Sequence, residues 1–415
     1  MISPAEQNLL EHIDKDELIS LTRDLVRIDS VIRPETGNTE HQAVEFIRTW
    51  IENELKGSCE EIREVRTEVV EVEPGRENIV VTIDSGRTGP CLLLEGHTDV
   101  VSEGNRDLWR YGPFSGEIEE GKLYGRGSFE MKGALAVNLI TAKALLCSGV
   151  RFNGKLKLAI VCDEEDMMIG IKDFIRRGYA DDVDAALVSE PEENQLCLSM
   201  KGAIRAVVRV KGKMAHGAMP LTGINPSPRM ARIILAYERF EKEEIDRCGK
   251  DPYLGYPSIT FTVVQAPPPG EPKQLNVMPS DAVGYIDIRT TPKQDHETIR
   301  TRLNQILEEL AGEDSNFKAE IEFIEDRPVV YMDRTEPVVQ TAESAYKDIT
   351  GREPVYSGVP GATDGTFLRA WKGIPSLVNG PGPKFMPHQT DEYIEIDQLY
   401  EAARIYLLTS VRFLQ

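Results

Sequence analysis

The stretch KLAIVCDEEDMMIG, residues 157–170, begins as an apolar run of strand length and breaks into four consecutive acids. On its own, such a run is typical of a helix N-terminus, where carboxylates offset the helix dipole and cap free N–H groups. Two other segments share the pattern: CLLLEGHTDVV (91–101) and AALVSEPEE (185–193). In all three, residues able to bind metal follow an apolar run directly.

Helix-like stretches separate these three runs, namely MKGALAVNLITAKALLCSG (131–149) and IGIKDFIRRGYA (169–180). The alternation predicts an α/β fold with a mixed, mostly parallel sheet flanked by helices. Open sheets of this kind place their sites beyond the carboxyl ends of the strands. We therefore expect four side chains to lie together: His97, Glu164, Glu165 and Glu190.

The pattern of apolar and polar residues changes from about residue 201, where strands of alternating character and amphipathic helices replace the α/β pattern. This change predicts a compact α+β unit, residues 199–326, inserted into a discontinuous domain formed by residues 1–198 and 327–415. The proline-rich stretch APPPGEPKQ (266–274) is interpreted as a loop within the insert.

Composition is that of an ordinary soluble protein, with 28% charged and 40% hydrophobic residues. The formal net charge of −21 argues against a nucleic-acid or anionic-membrane partner. Residues 1–28 carry acids inside every apolar patch, which predicts an amphipathic helix rather than a signal peptide or membrane span, and a cytoplasmic location. Six cysteines without a CxxC pair favour reduced, buried thiols: Cys59, Cys91, Cys147, Cys162, Cys197 and Cys248.

Histidines are scarce, and two of the six stand in motifs with acids, His97 in GHTD and His388 in MPHQTDE. With Glu165, Glu190 and the acid of GRGSFEMKG they give five nitrogen and oxygen ligands. This composition suits zinc, manganese or cobalt better than calcium, which prefers oxygen alone.

Two further acids have positions that suit supporting roles. Asp99 stands two residues after His97, on the same side of an extended chain, where it can accept a hydrogen bond from the imidazole and fix its tautomer. Glu164 and Glu165 are adjacent and should point different ways, so that one can bind metal while the other transfers protons.

Ten motifs in order, from about residue 18 to 408, give the chain a resemblance to a known family: GHTDVV, WRYGPF, GKLYGRGSFEMKGALA, DEED, SEP, HGAMP, NVMP, DIR, GATDG and PHQTDEYI. The sequence resembles the co-catalytic metallohydrolases that include acetylornithine deacetylase, succinyl-diaminopimelate desuccinylase and glutamate carboxypeptidase. This resemblance implies a zinc-exopeptidase-like catalytic domain with an inserted, ferredoxin-like dimerisation (lid) domain, and a homodimer or higher homo-oligomer through that insert.

The resemblance also implies a divalent transition metal cofactor, zinc, manganese or cobalt, with one or two ions per chain. By motif position, His97 and Glu190 would bind one ion, and Glu165 and His388 the other. Glu130, the acid of GRGSFEMKG, would bridge the two ions.

Catalytic and substrate-binding roles carry over in the same way. Glu164 would be the general base that deprotonates water and passes the proton to the leaving nitrogen, and Asp99 would orient His97. His216 of HGAMP would reach the partner subunit's active site and steady the oxyanion. Arg289 of DIR and Asn276 of NVMP would hold the substrate carboxylate, for which a guanidinium offers two parallel hydrogen bonds. An ordinary strand-end salt bridge is the alternative for Arg289.

The sequence departs from the family pattern at two places. Most of the family has aspartate at the bridging position, and the extra methylene of Glu130 moves the carboxylate about 1.5 Å outward, which predicts a single ion or loosely held metal. The approach to Asn276 is longer and richer in proline than usual, which indicates either an unusual substrate or a surface insertion without consequence.

The leading prediction is a metal-dependent hydrolase that cleaves a C–N bond, an amide or N-acyl bond, in a small carboxylate-bearing substrate. One alternative is an aminohydrolase that replaces an aromatic amine with hydroxyl, as in nitroanthranilate-degrading relatives. The other is a binding or regulatory protein that has kept the fold and lost activity through Glu130.

Overall fold

The computed structural model describes residues 1–56, 64–384 and 388–415. The chain forms two compact units. The first unit comprises Met1–Leu198, Met332–Ser357 and Thr363–Gln415, and the second comprises Ser199–Tyr331 and Gly358–Ala362. The role of the predicted insert, 199–326, in dimerisation stays a prediction.

The strands of the described residues are β1 (Glu64–Glu73), β2 (Arg76–Asp84), β3 (Cys91–His97), β4 (Glu117–Glu119), β5 (Lys122–Tyr124), β6 (Lys155–Val161), β7 (Ala185–Val188), β8 (Leu196–Met200), β9 (Gly202–Lys211), β10 (Ala215–His216), β11 (Ser258–Gln265), β12 (Val277–Met278), β13 (Asp281–Thr290), β14 (Lys318–Arg327), β15 (Val330–Tyr331), β16 (Tyr356–Val359), β17 (Ser376–Val378) and β18 (Tyr393–Glu395). The α-helices are α1 (Pro4–Leu10), α2 (Lys15–Val26), α3 (His41–Trp50), α4 (Lys132–Cys147), α5 (Ile169–Arg176), α6 (Pro226–Cys248), α7 (His296–Glu313), α8 (Pro337–Thr350), α9 (Gly365–Lys372) and α10 (Ile396–Phe413).

The first unit is built on a mixed sheet in the order β1-β2-β6-β3-β7-β17-β8. Its centre is parallel, since β6 pairs in parallel with β3, β3 with β7, and β7 with β17. The flanks are antiparallel, at β1–β2, β2–β6 and β17–β8. The predicted α/β fold with a mixed sheet and a parallel centre is confirmed.

Helices cover both faces of this sheet. Leu93 of β3 belongs to a core cluster with Ile171 and Phe174 of α5, whereas Gly96, of opposite strand parity, faces α4. A Cβ at Gly96 would lie 2.9 Å from the side-chain ends of Leu135 and Met131, so the strand and the helix approach closely here. The approach brings the end of β3 beside the start of α4.

A three-stranded antiparallel sheet, β18-β5-β4, completes the first unit around the same end of α4. Tyr124, the last residue of β5, pairs with Tyr393, the first of β18. The chain that leaves β5 therefore runs beside the chain that enters β18, and the backbone N–H of Gly125 donates to the carbonyl of Glu392 at 2.9 Å.

The second unit contains a four-stranded antiparallel sheet in the order β11-β13-β9-β14. Helices α6 and α7 contact this sheet and each other. Their apolar faces and the sheet share one core, which includes Ile204, Val208, Ile233, Tyr237, Ile286 and Leu303. The short strands β10 and β12 pair separately.

Two expectations from the sequence are corrected by the structure. Residues 1–28 form two helices rather than one, because Asp14 accepts hydrogen bonds from the N–H groups of Asp16 and Glu17 and starts α2 anew. Cys147 is exposed, whereas the other described cysteines are buried and all five are free thiols; Cys59 lies outside the described residues. Within the described part of the chain, no helix combines the length and the apolar character needed to cross a membrane.

Candidate metal centre and active site

Three of the predicted ligands converge at the carboxyl ends of β3 and β7. His97 ends β3, Glu190 follows β7, and Glu130 precedes α4. One ligand atom from each lies within 4.8 Å of the others. Because β3 and β7 are parallel neighbours, their ends meet at one edge of the sheet, and the packing of Gly96 against α4 adds Glu130.

Asp99 links this cluster to the acidic segment after β6. The Nδ1 atom of His97 lies 3.0 Å from the backbone oxygen of Asp99 and 3.3 Å from its Oδ1. The two carboxylate oxygens of Asp99 accept the backbone N–H groups of Glu164 at 3.1 Å and Glu165 at 3.0 Å. Asp99 thus holds the imidazole and also the backbone of both acids.

Glu165 and His388 form a second pair beside the cluster. Nε2 of His388 lies 3.1 Å from Oε2 of Glu165. The hydrogen bond to Glu165 raises the pKa of His388, although burial opposes it. The two predicted ligands of the second ion are thus in direct contact.

Carboxylates are crowded where solvent is excluded, and this shifts their pKa values. Burial, reinforced by the charge of Glu190, raises the pKa of Glu130 well above its ordinary value, and Glu165 adds to the effect. Burial and the charge of Glu190 likewise raise the pKa of Glu164, which is 8% exposed. Burial alone would lower the pKa of His97, but Asp99 leads the carboxylates that raise it well above its usual range.

The donor set fits a divalent transition metal. Buried Nε2 of His97, Oε1 of Glu165 and Oε1 of Glu190 have no hydrogen-bond partner among the described residues. Unsatisfied buried polar atoms are costly and rare in native proteins, and these three belong to the residue types that bind zinc, manganese or cobalt. Because Nδ1 of His97 is engaged by Asp99, Nε2 is the nitrogen free to bind.

The acids of residues 163–166 have two different roles, one in holding a turn and the other in the candidate site. Asp163 does not start a helix; it pairs with Arg76 at 2.7 Å, and its Oδ2 accepts the N–H of Met167 at 3.1 Å, in the turn before α5. The next two acids, Glu164 and Glu165, face the cluster instead.

Two buried acids near His97 were not predicted from the sequence. Glu95, on the same side of β3, and Asp364, before α9, are 1% and 0% exposed. The two carboxyl groups share a hydrogen bond with each other, and their oxygens have no other hydrogen-bond partner among the described residues. Burial raises the pKa of Glu95 to about 8, and burial with the charge of Glu95 raises that of Asp364. Glu95 stands out in the sequence as the one charged residue within the apolar run of β3.

The predicted substrate residues lie in the second unit. His216 on β10 and Asn276, just before β12, are exposed neighbours, since β10 pairs with β12 and the N–H of Gly217 donates to the carbonyl of Asn276 at 2.7 Å. Arg289 on β13 binds Asp287 through two parallel hydrogen bonds, 2.6 Å from Nε and 3.0 Å from Nη2. One edge of the Arg289 fork is therefore occupied by a neighbouring carboxylate.

A buried histidine and carboxylate cluster at the carboxyl ends of parallel strands is typical of a metal-dependent enzyme with an α/β fold. Residues 93–411 match peptidase family M20/M25/M40, and the chain belongs to this family. The predicted resemblance is thereby confirmed.

A 30% identical relative agrees with this assignment, and solved structures share the fold. The "Probable succinyl-diaminopimelate desuccinylase" of Staphylococcus aureus strain MSSA476 is 30% identical over 373 residues, which cover 85% of this chain and 90% of that protein. The M20 family metallo-carboxypeptidase Sso-CP2 from Sulfolobus solfataricus has a TM-score of 0.78 at 20% identity, covering 96% of this chain and 100% of that one. The YXEP protein of Bacillus subtilis, a dinuclear metal binding peptidase, has a TM-score of 0.70 at 17% identity, with coverage of 96% and 98%.

The leading prediction of function is confirmed at the level of the reaction. The chain is a metal-dependent hydrolase of a family that cleaves amide bonds. The aromatic aminohydrolase and the inactive binding protein are not supported by the comparisons.

Proposed function

We propose that this enzyme hydrolyses the amide bond of an N-acylated amino acid that carries a free carboxylate. The observation that carries the proposal is the set of buried, unpartnered ligand atoms on His97, Glu165 and Glu190 beside the buried carboxylate of Glu164. The name of the 30% identical relative favours an N-succinyl amino acid within this class.

The metal ligands in this proposal are His97 and Glu190 for one ion, Glu165 and His388 for another, and Glu130 between them. A divalent ion bound by these residues would supply Lewis acidity, which would lower the pKa of water and polarise the scissile carbonyl. The described geometry that supports the set is the contact of Glu165 with His388 and the convergence of the other three.

Proton transfer falls to Glu164 in this proposal. Burial raises the pKa of Glu164, which brings a carboxylate closer to the pH at which a general base also serves as an acid. Glu164 accepts a proton from the attacking water and returns it to the leaving nitrogen. Asp99 keeps His97 in one tautomer and holds the N–H of Glu164.

Substrate binding is assigned to three residues of the second unit. In the proposed dimer, His216 reaches the partner subunit's active site and adds a hydrogen-bond donor where negative charge develops, a contribution of about 3 kcal/mol in comparable sites. Arg289 and Asn276 bind the substrate carboxylate. The support for Arg289 is that its planar guanidinium already binds one carboxylate, that of Asp287, through Nε and Nη2.

The number of ions depends on Glu130. Its side chain is one methylene longer than aspartate, so we propose that one ion is held tightly and a second only loosely. Metal analysis of dialysed protein tests this; two tightly held ions per chain would refute it.

A homodimer through the second unit and a cytoplasmic location complete the proposal. The second unit exposes several large apolar side chains near His216 and Asn276 in sequence, namely Met214, Met219, Leu221 and Leu275. Light scattering on the purified enzyme should give twice the chain mass of 46.4 kDa. A monomer at micromolar concentration would contradict the dimer.

The activity is tested with chelator-stripped enzyme reloaded with Zn²⁺, Mn²⁺ or Co²⁺. The substrate panel contains N-succinyl, N-acetyl and dipeptide compounds, and release of primary amine and carboxylate is followed. We expect turnover of an N-acyl amino acid that depends on metal and is lost in Glu164→Gln. Release of ammonia from an aromatic amine, or no turnover with any metal, would contradict the proposal.

A further inference from the structure

Two buried ion pairs flank the segment that carries His388. On one side, Oε2 of Glu392 lies 2.5 Å from Nη1 of Arg126, and the two side chains are 0% and 2% exposed. On the other side, Lys384 pairs with Glu192, which is 4% exposed. Both pairs lie within the first unit.

The Arg126–Glu392 pair connects two ligand-bearing segments. Oε1 of Glu392 accepts the backbone N–H groups of Phe129 at 3.2 Å and Glu130 at 3.3 Å. Nη2 of Arg126 lies 3.5 Å from the backbone oxygen of His388. A single ion pair thus holds the amide of one predicted ligand and approaches the carbonyl of another.

The Glu192–Lys384 pair lies beside a third predicted ligand, Glu190. Glu192 stands two residues after Glu190, and its backbone N–H donates to Gly380 at 3.1 Å. A Cβ at Gly380 would lie 2.4 Å from the carbonyl oxygen of Glu190, so the two segments touch. Nζ of Lys384 also donates to Ser357 at 3.1 Å, which anchors the ammonium further.

A contribution to folding stability does not explain these two ion pairs, because a buried ion pair adds little net stability. Desolvating two charges costs about as much as their attraction returns, and well-packed apolar residues often serve as well. Here both pairs end on segments that carry predicted metal ligands. Groups that orient ligands from behind typically change metal affinity about 10- to 100-fold when mutated.

We infer that Arg126, Glu392, Glu192 and Lys384 are positioning residues that set the metal affinity. Arg126 and Glu392 hold Glu130 beside His388, and Glu192 and Lys384 hold the segment of Glu190. This inference rests on the proposed function, because it takes Glu130, His388 and Glu190 as ligands. It assigns a role to four buried charges that contribute no ligand atom themselves.

The test compares Co²⁺ binding with the stability of the metal-free protein. The main variant is the double change Glu192→Gln with Lys384→Met, which removes both charges and leaves neither unpaired. Arg126→Met is the second variant, and Lys384→Arg keeps the pair. The matched control is Arg412→Met, because Arg412 pairs with Glu6 and Asp348, both at 2.7 Å, elsewhere in the first unit.

Co²⁺ affinity is measured by titration calorimetry, and the visible absorption spectrum of bound Co²⁺ reports its coordination. We expect the double variant and Arg126→Met to bind Co²⁺ about 10- to 100-fold more weakly, with an altered spectrum. Arg412→Met should lower the melting temperature of the metal-free protein and leave affinity and spectrum unchanged. Lys384→Arg should bind as the wild type does.

The outcomes separate this inference from the proposed function. Wild-type protein that binds no Co²⁺ would overturn both. Wild-type protein that binds Co²⁺ while the double variant binds it equally tightly would overturn the inference alone. If Arg126→Met does not fold, the double variant decides the result.

Discussion

Changing the adjacent acids Glu164 and Glu165 to glutamine should damage the enzyme in two different ways. Asp99 holds the backbone N–H of Glu164 rather than its side chain, so the amide fits without loss of that contact. A positioned general base contributes about 10²- to 10⁴-fold. We therefore expect kcat/KM of Glu164→Gln to fall by that factor, about 3–5 kcal/mol at 1.36 kcal/mol per decade, with metal content unchanged.

Although Glu164→Gln should lose activity, its metal-free form should be more stable than the metal-free wild type. Burial raises the pKa of Glu164, so the folded state disfavours the ionised carboxylate. Such a group lowers stability as the pH rises above the unfolded pKa of about 4.3. Thermal unfolding should show Glu164→Gln more stable than the wild type at pH 7, by a margin that shrinks toward pH 4.

The assay measures kcat/KM of metal-loaded enzyme alongside metal content by mass spectrometry. Glu165→Gln is the matched control, because it should lose bound metal together with activity. A fully loaded Glu164→Gln enzyme that keeps more than about a tenth of the wild-type kcat/KM would refute the role of Glu164.

Three further predictions follow from the same contacts. Glu130→Asp shortens the bridging side chain and should raise the occupancy of a second ion; unchanged metal content after dialysis would count against the argument. Because Glu165 raises the pKa of His388, and because metal binding requires the neutral imidazole, ion binding near pH 6.5 should release protons. Calorimetry in two buffers of different ionisation enthalpy checks this, and identical apparent enthalpies would exclude it. Asp287→Asn removes the carboxylate that binds the Arg289 guanidinium. It should raise KM by up to about fivefold with kcat unchanged, since such partly exposed pairs are worth about 1 kcal/mol. Steady-state kinetics measure this, and an unaltered KM would show that Asp287 does not orient Arg289.

The parallel centre of the sheet follows from the sequence because its strands are buried on both faces. β3 is buried at every residue, and such strands read as continuous apolar runs. Since β3 and β7 are parallel neighbours, the convergence of His97 with Glu190 follows from strand-end position alone. The pairing of Arg289 with Asp287 also follows, because residues two apart share one face of a strand.

Long-range polar contacts were beyond the reach of sequence patterns. Arg126 and Glu392 are 266 positions apart, and no local periodicity encodes their pairing. The motifs contain both residues, yet a motif does not state which side chain its members contact. Glu95 and Asp364 were not identified for a related reason, since acidic residues are almost never fully buried and their sequence neighbours do not show that they are.

Anomalous diffraction from crystals soaked with Zn²⁺ tests the central claim most directly. We expect an ion about 2.0–2.1 Å from Nε2 of His97, with Glu190 and Glu130 among its ligands. An ordered Zn²⁺ bound elsewhere, with Nε2 of His97 left uncoordinated, would contradict it.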